Sequence, residues 1–293
     1  IMGFYEKYRT IGLAFEISEK LKTNPNDLHS IISSYKKTSS GKVDLMNIVT
    51  SIKTAIEQQE EKIKNKKSFV TVPDWERLSE RIGGFNPGRI YLLTAETGMG
   101  KTTFAINFAL GAIKSMSVLY FNMEMIPEDI ATRVLQIGSN LSSREWHLGQ
   151  YVNRLHEISF FIDSLDKQNT FEMTDGRAIA LENITSKIIS FREENENMIV
   201  IIDYDQKIRS INNGEEWQVL QRAVEDLEEV AKLCKCPIVI LAQGREAASK
   251  SGIAGDPKAS ARTKQSASAV IRLHKENDAY FIKKKKNRFG PRE

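Results

Sequence analysis

The chain has 293 residues, 27% of them charged and 41% hydrophobic, with a formal net charge of +4. That balance is ordinary for a globular protein and leaves room for one large α/β domain plus a smaller appendage. No apolar run approaches the roughly 20 residues of a membrane span and no secretory leader is evident, so a cytoplasmic location without membrane contact is expected.

Residues 1–67 read as a helical N-terminal segment. Apolar residues recur at helical spacing over 5–21, 26–35 and 44–66, with breaks at Pro25 and at Thr38-Ser39-Ser40-Gly41. The last stretch has only a narrow stripe, Ile48, Ile52, Ala55 and Ile56, ahead of a highly charged tail. Alone it buries too little to be stable, so it is expected to pack on something else, such as a neighbouring subunit.

From 68 to 293 the texture is that of an α/β domain. Short apolar runs at 90–94, 117–122, 158–163, 198–203, 237–242 and 269–274 predict buried strands, and the patterns at 102–115, 182–194 and 215–235 predict helices. The expected architecture is a mostly parallel sheet with helices on both faces. Ligands of such sheets sit beyond the carboxyl ends of the strands, and the chemistry-bearing residues fall there.

The first strand runs into Ala95-Glu96-Thr97-Gly98-Met99-Gly100-Lys101-Thr102-Thr103. A strand, a Gly-rich loop and a helix in this order make a phosphate cradle. Gly98 and Gly100 let backbone N–H groups turn inward, Lys101 reaches the β and γ oxygens, Thr102 can ligate Mg²⁺, and the helix N-terminus faces the anion. Ala95 stands where the general pattern asks for glycine. Residues 96–103 are the expected nucleotide-binding set, with a nucleoside triphosphate and Mg²⁺ as the cofactors.

Two carboxylates end other strands. Met198-Ile199-Val200-Ile201-Ile202-Asp203 delivers Asp203 to the Mg²⁺ side of a phosphate loop. Ser117-Val118-Leu119-Tyr120-Phe121-Asn122-Met123-Glu124 delivers Glu124, which can polarise an attacking water or, more plainly, serve as an acid at the start of a helix before Pro127. Gln243, after the run 238–242, can hydrogen-bond a terminal phosphate and lose that bond on hydrolysis. The next loop, 244–263, is long and rich in Gly, Ser, Ala and Lys.

Charge is unevenly spread. Residues 241–293 hold 13 Lys/Arg against 5 Asp/Glu, an excess of +8, so the preceding residues sum to −4. Such a bias suits a surface that meets phosphates, and equally a solvated lysine-rich face. Lys258, Arg262 and Lys264 are the candidate contacts to a nucleic-acid strand. Cys234 and Cys236, with no second Cys/His pair nearby, read as reduced packing residues rather than a zinc site.

The order of these motifs resembles the DnaB-type hexameric replicative helicases of bacteria and phages, built on a RecA-like core. The phosphate loop with Ala95 and Met99 looks like that family's version. Phe121-Asn122-Met123-Glu124-Met125 is similar to its catalytic-glutamate motif, and Ile202-Asp203-Tyr204-Asp205-Gln206 to its Walker B, with Asp205 where an aliphatic residue is usual. Ala242-Gln243 resembles its sensor, and Lys286-Asn287-Arg288-Phe289-Gly290-Pro291 the segment that holds its arginine finger.

The resemblance implies an ATP-dependent DNA helicase working as a homo-oligomeric, six-membered ring on single-stranded DNA, in a bacterial or phage-infected cell, with a primase or helicase loader as a further partner. It implies that Lys101, Glu124, Asp203 and Gln243 act in one site, that Thr102 and Asp203 hold the metal, and that Lys286 and Arg288 reach the neighbour's γ-phosphate. Lys207 and Arg209 match the family's other central DNA loop, with a solvated surface as their alternative. Residues 256–268 align with the DNA-loop pattern but are more basic, Lys258 standing for Arg and Lys264 for Glu. Two other readings share the phosphate loop: a RecA-fold ATPase that forms rings or filaments without unwinding, and a nucleotide-switched loader. The short helical lead, in place of the family's N-terminal collar, implies a trimmed or reduced member, and residues 44–66 match the subunit-docking helix.

Overall fold

The computed structural model describes residues 48, 49, 52, 53, 56, 57, 60, 70–96, 98–177, 179–203, 216–243, 266–276 and 279–288. Helix α1 (Glu76–Ile82) leads to β1 (Ile90–Ala95), α2 (Lys101–Ala112) and β2 (Ser117–Asn122). Then come α3 (Pro127–Gly138), α4 (Ser143–His147), a 3₁₀ turn (Gln150–Arg154), α5 (Leu155–Leu165) and β3 (Phe171–Met173). The chain continues through α6 (Leu181–Glu194), β4 (Met198–Asp203), α7 (Glu216–Cys234), β5 (Ile238–Gln243), β6 (Ala269–Glu276) and β7 (Ala279–Asn287).

These strands form one sheet in the order β3-β2-β4-β5-β1-β6-β7. Every neighbouring pair is parallel except β6 with β7. Alternation along the strands divides the apolar residues between two cores. Ile90, Leu92, Leu119, Phe121, Val200, Ile202, Ile238 and Ile240 face α6 and α7, where Ile184, Ile188, Leu227 and Val230 meet them. Tyr91, Leu93, Val118, Tyr120, Ile199, Ile201, Val239 and Leu241 face α1 and α2, packed by Ile82, Ala105, Phe108 and Ala109. Burial on both faces explains why β2 and β4 read as continuous apolar runs. Among the described residues, no helix is long and apolar enough to cross a membrane.

Five of the six expected strands are present. The run 158–163 is instead part of α5, because its inward residues are Ile158, Phe161 and Leu165, which is helical spacing. Phe161 lies over Gly138 of α3, where a Cβ would come within 2.0 Å of the ring. The strand beside β2 comes later, at β3, whose three residues are too few to show a period. At the other edge β7 carries Lys283, Lys284, Lys285 and Lys286, a composition that hides a strand in the sequence but suits an edge exposed to water.

The described residues between 48 and 60 are helical, and Ile48, Val49, Ile52 and Ile56 are all more than half exposed. The expected helices at 5–21 and 26–35 lie outside the described residues. Cys234 and Cys236 are buried free thiols in the α6–α7 core, as packing residues should be. Burial pushes the Cys234 thiol up to about 11 and Cys236 higher still, so both are unreactive.

The helix that leaves the phosphate loop is braced from outside. Trp75 packs edge-on against Phe104 at 4.6 Å and tilted against Phe108 at 6.2 Å, and its indole N–H donates to the Asn107 carbonyl at 3.4 Å. Gly111 makes room for that segment, since a Cβ there would stand 2.3 Å from the Pro73 carbonyl oxygen. Gly111→Ala should therefore lower stability by about 1–3 kcal/mol, the overpacking cost exceeding the roughly 1 kcal/mol of helix propensity gained. Denaturant unfolding measures it, and an unchanged or raised midpoint would show that the Trp75 segment yields freely.

Candidate functional site

The phosphate loop joins the end of β1 to the start of α2. Gly98 and Gly100 have φ of +78° and +73°, left-handed values that side chains rarely adopt. A Cβ would have space at both, so conformation and not crowding calls for glycine there. The turn is closed by Met99 N–H to the Glu96 carbonyl at 3.2 Å, and Phe104 N–H to the Gly100 carbonyl at 2.8 Å starts the helix. Lys101 and Thr102 thus form the first turn of α2, and Thr103 follows on its exposed side.

Asp203 ends β4 and is buried at 2% exposure. Its Oδ2 accepts the Tyr120 hydroxyl proton at 2.8 Å, and its carboxylate also accepts from Thr102. Lys101 and Glu124 act on it electrostatically, the first favouring its charge and the second opposing it. Lys101, Thr102, Glu124 and Asp203 therefore lie together, as the strand ends predict. Burial is the largest influence and holds the Asp203 carboxyl above its usual range, against the pull of Tyr120, Thr102 and Lys101. The same burial, with Asp203 beside it, raises the Tyr120 hydroxyl well above the ordinary tyrosine value, so it remains a donor.

Glu124 is exposed on a built turn. Asn122 and Asp203 are register partners, and Met123 N–H donates to the Asp203 carbonyl at 2.9 Å. The Asn122 Oδ1 accepts from the backbone N–H of Glu124 at 3.3 Å and of Met125 at 3.1 Å, while its Nδ2 donates to the Met125 carbonyl at 2.5 Å. The segment after β3 supports the turn from the side. Thr174 donates its hydroxyl to the Asn122 carbonyl at 2.7 Å, and Gly176, with φ of +84°, lies so close that a Cβ would stand 2.0 Å from the Met125 carbonyl oxygen.

Sequence reasoning missed Tyr120, Thr174 and Gly176. Only Tyr120 left a signal, a phenol in a strand buried on both faces, which needs a partner for its hydroxyl.

Glu96 is half exposed and accepts from Arg272 Nη2 on β6 at 3.0 Å. Gln243 ends β5 opposite Ala95, which puts its backbone beside the loop. Its side chain lies outside the described residues, as do Thr97, Lys207, Arg209, Lys258, Arg262 and Lys264.

Lys286 and Arg288 are elsewhere. β7 runs against β6, so Asn287 pairs with Ala269, and Arg288 N–H donates to the Ser268 carbonyl at 2.9 Å. Ser268 in turn donates to Ile90, the first residue of β1. Arg288 is exposed at the end of the sheet opposite the phosphate loop, roughly 16 Å down the strands at about 3.3 Å per residue. Lys286, partly desolvated and facing the Arg288 charge, has its ammonium pulled below the usual lysine value.

The Asp203 environment makes a signed prediction. A carboxyl raised in the folded state costs stability when ionised; the cost is absent in acid, where both states are protonated, and is complete above the folded-state value. Asp203→Asn, melted without divalent metal, should be more stable than the parent at neutral pH, and the gain should disappear as the pH falls. A pH-independent difference, or a loss at neutral pH, contradicts the assignment.

Comparison with known proteins places this geometry. The profile of the DnaB-like helicase C-terminal domain matches residues 72–291. The replicative DNA helicase DnaB of Rickettsia felis is 26% identical over 241 residues, covering 73% of this chain and 46% of that protein. The chain spans about half the length of the curated relatives it matches. Among solved structures, an ATPase domain aligns with a TM-score of 0.73 at 20% identity, over 85% of this chain and 93% of that one. A DnaB-like replicative helicase, described with its interactions with primase, aligns at 0.69 and 19% identity, over 99% and 73%. At such identity the likeness is one of fold, and the sheet and its flanking helices are those of a RecA-like ATPase core. With the profile covering most of its length, the chain belongs to the DnaB-like helicase C-terminal domain family.

Proposed function

We propose that this chain is the motor of a replicative DNA helicase, in which ATP hydrolysis between subunits of a six-membered ring drives translocation on single-stranded DNA and separation of duplex. The observation that carries this reading is the division of the site. Lys101, Thr102, Glu124 and Asp203 gather at one end of the sheet, and Arg288 stands at the other. An arginine so placed is out of reach of its own phosphate loop, so its use lies with a second copy.

The roles follow from chemistry. The loop amides and Lys101 bind the β- and γ-phosphates. The hydroxyl of Thr102 and the carboxylate of Asp203, adjacent in the structure, are hard oxygen donors of the kind that suits Mg²⁺. When bound, that ion neutralises charge building on the phosphate oxygens. Tyr120 fixes the orientation of Asp203, and the Asn122 turn presents Glu124 toward the water that attacks. Gln243 senses the γ-phosphate at the head of the loop that carries Lys258. Lys207, Arg209, Lys258, Arg262 and Lys264 hold the DNA backbone, and Lys286 with Arg288 completes the neighbouring site.

Residues 68–293 are the motor and 1–67 the helical lead. Its exposed stripe, Ile48, Val49, Ile52 and Ile56, docks on an adjacent subunit. A primase or loader is the partner we assign to that end of the ring, by likeness to the DnaB-like helicase described with primase. The setting is the cytoplasm of a bacterial or phage-infected cell.

Arg288→Ala should lower ATP turnover by ~10³-fold while nucleotide still binds, since a finger acts on the transition state. Phosphate release and binding of a fluorescent ATP analogue, measured together, test this, and turnover near the parent's rules out the finger. Strand separation on a forked duplex, beside a length-matched binding control, distinguishes a helicase from an ATPase that assembles without unwinding.

A further inference from the structure

Arg272 is an unusual residue for its place. It lies in β6, an inner strand between β1 and β7, and its neighbours Ile271 and Leu273 are buried. An arginine side chain only 18% exposed is costly unless its charge is paired. Parallel pairing sets Arg272 beside Thr94, two residues before Glu96, and Thr94 is itself tied to β6 by its hydroxyl, which donates to the Ile271 carbonyl at 3.2 Å. Across the other strand pair Arg272 faces Lys283, a like charge and so no counter-ion. Its Nη2 instead reaches over the end of β1 to the Glu96 Oε1 at 3.0 Å.

Glu96 is as unusual as its partner. It is the first residue after β1 in a loop read as receiving a polyphosphate, and a free carboxylate there repels the ligand. Salt would screen this only partly for a phosphate seated closer than a Debye length of about 8 Å.

We propose that Arg272 is a positioning residue of the chain's own nucleotide site, neutralising Glu96 so that the loop meets the triphosphate without a repelling charge at its entrance. The proposal rests on the reading of residues 95–103 as the phosphate loop. It gives the β6–β7 hairpin two duties: Arg272 serves the site of its own chain, and Lys286 and Arg288, at the hairpin's far end, serve the next.

The test is equilibrium binding of a fluorescent ATP analogue to the full chain with Mg²⁺, for the parent, Arg272→Gln, Glu96→Gln and the double variant. Arg272→Gln should weaken binding about tenfold, the size of one partly screened charge contact. Adding Glu96→Gln should return affinity to within about twofold of the parent, a rescue that a merely structural role for Arg272 does not produce. Unchanged binding by Arg272→Gln overturns the proposal, and so does a double variant as weak as Arg272→Gln, which would make the guanidinium a direct phosphate ligand. Should Arg272→Gln fail to fold, Glu96→Gln alone decides: affinity at or above the parent's supports neutralisation, and weaker binding overturns it. A parent chain that binds no nucleotide overturns the phosphate-loop reading instead.

Discussion

A carboxylate held away from water organises this protein. Asp203 sits at the end of the strand next to the sheet's centre, almost wholly buried, and desolvation works against its charge. Three groups offset that cost, the Tyr120 hydroxyl, the Thr102 hydroxyl and the Lys101 ammonium, and they come from two different elements. Bringing them together requires β2 and β4 to be neighbours in register and α2 to start where β1 ends. The fold meets both conditions through two apolar cores that clamp the sheet, and the Trp75 brace fixes α2 from outside. A cation held by Asp203 and Thr102, as we propose, would relieve the same desolvation cost that the protein's own hydrogen bonds only moderate.

The second constraint is direction. Strands that all run one way place every loop after them at one end, which is why the phosphate loop, Asp203, Glu124 and Gln243 converge. β7 alone runs the other way, so Arg288, just past its last residue, emerges at the opposite end. Its bulge, where Val270 pairs with Lys286 and Ile271 with Lys284, leaves Lys285 as the extra residue and turns the last lysine before Arg288 to the other face. In the proposed ring one chain thus shows two unlike ends, a binding end and a completing end, and self-association head to tail follows from that asymmetry. The lysines of β7 suit an open sheet edge, where charge discourages pairing with other strands.

Most of the sheet was legible because strands buried on both faces must be continuously apolar, and few other structures demand that of six residues in a row. The same rule misled at 158–163, where Phe160 and Ile162 are apolar yet face outward, so helical packing of Ile158, Phe161 and Leu165 passed for a strand. β3 and β7 escaped for the opposite reason, being edge strands with short or charged sequences. At the site, residues carried by local patterns were readable: glycines at positive φ before a lysine, acids at strand ends. Tyr120, Thr174, Gly176 and Arg272 were not, because their partners lie 83, 52, 51 and 176 residues away in sequence or are known only from register.

If each site is completed by a second copy, two inactive variants should restore one another when mixed. Lys101→Ala removes the phosphate lysine and keeps Arg288; Arg288→Ala does the reverse. Mixed and allowed to assemble, they form interfaces in which an intact phosphate loop meets an intact Arg288, so ATP hydrolysis should reappear although neither variant hydrolyses alone. A mixture that assembles as the parent does and stays inactive would contradict the account.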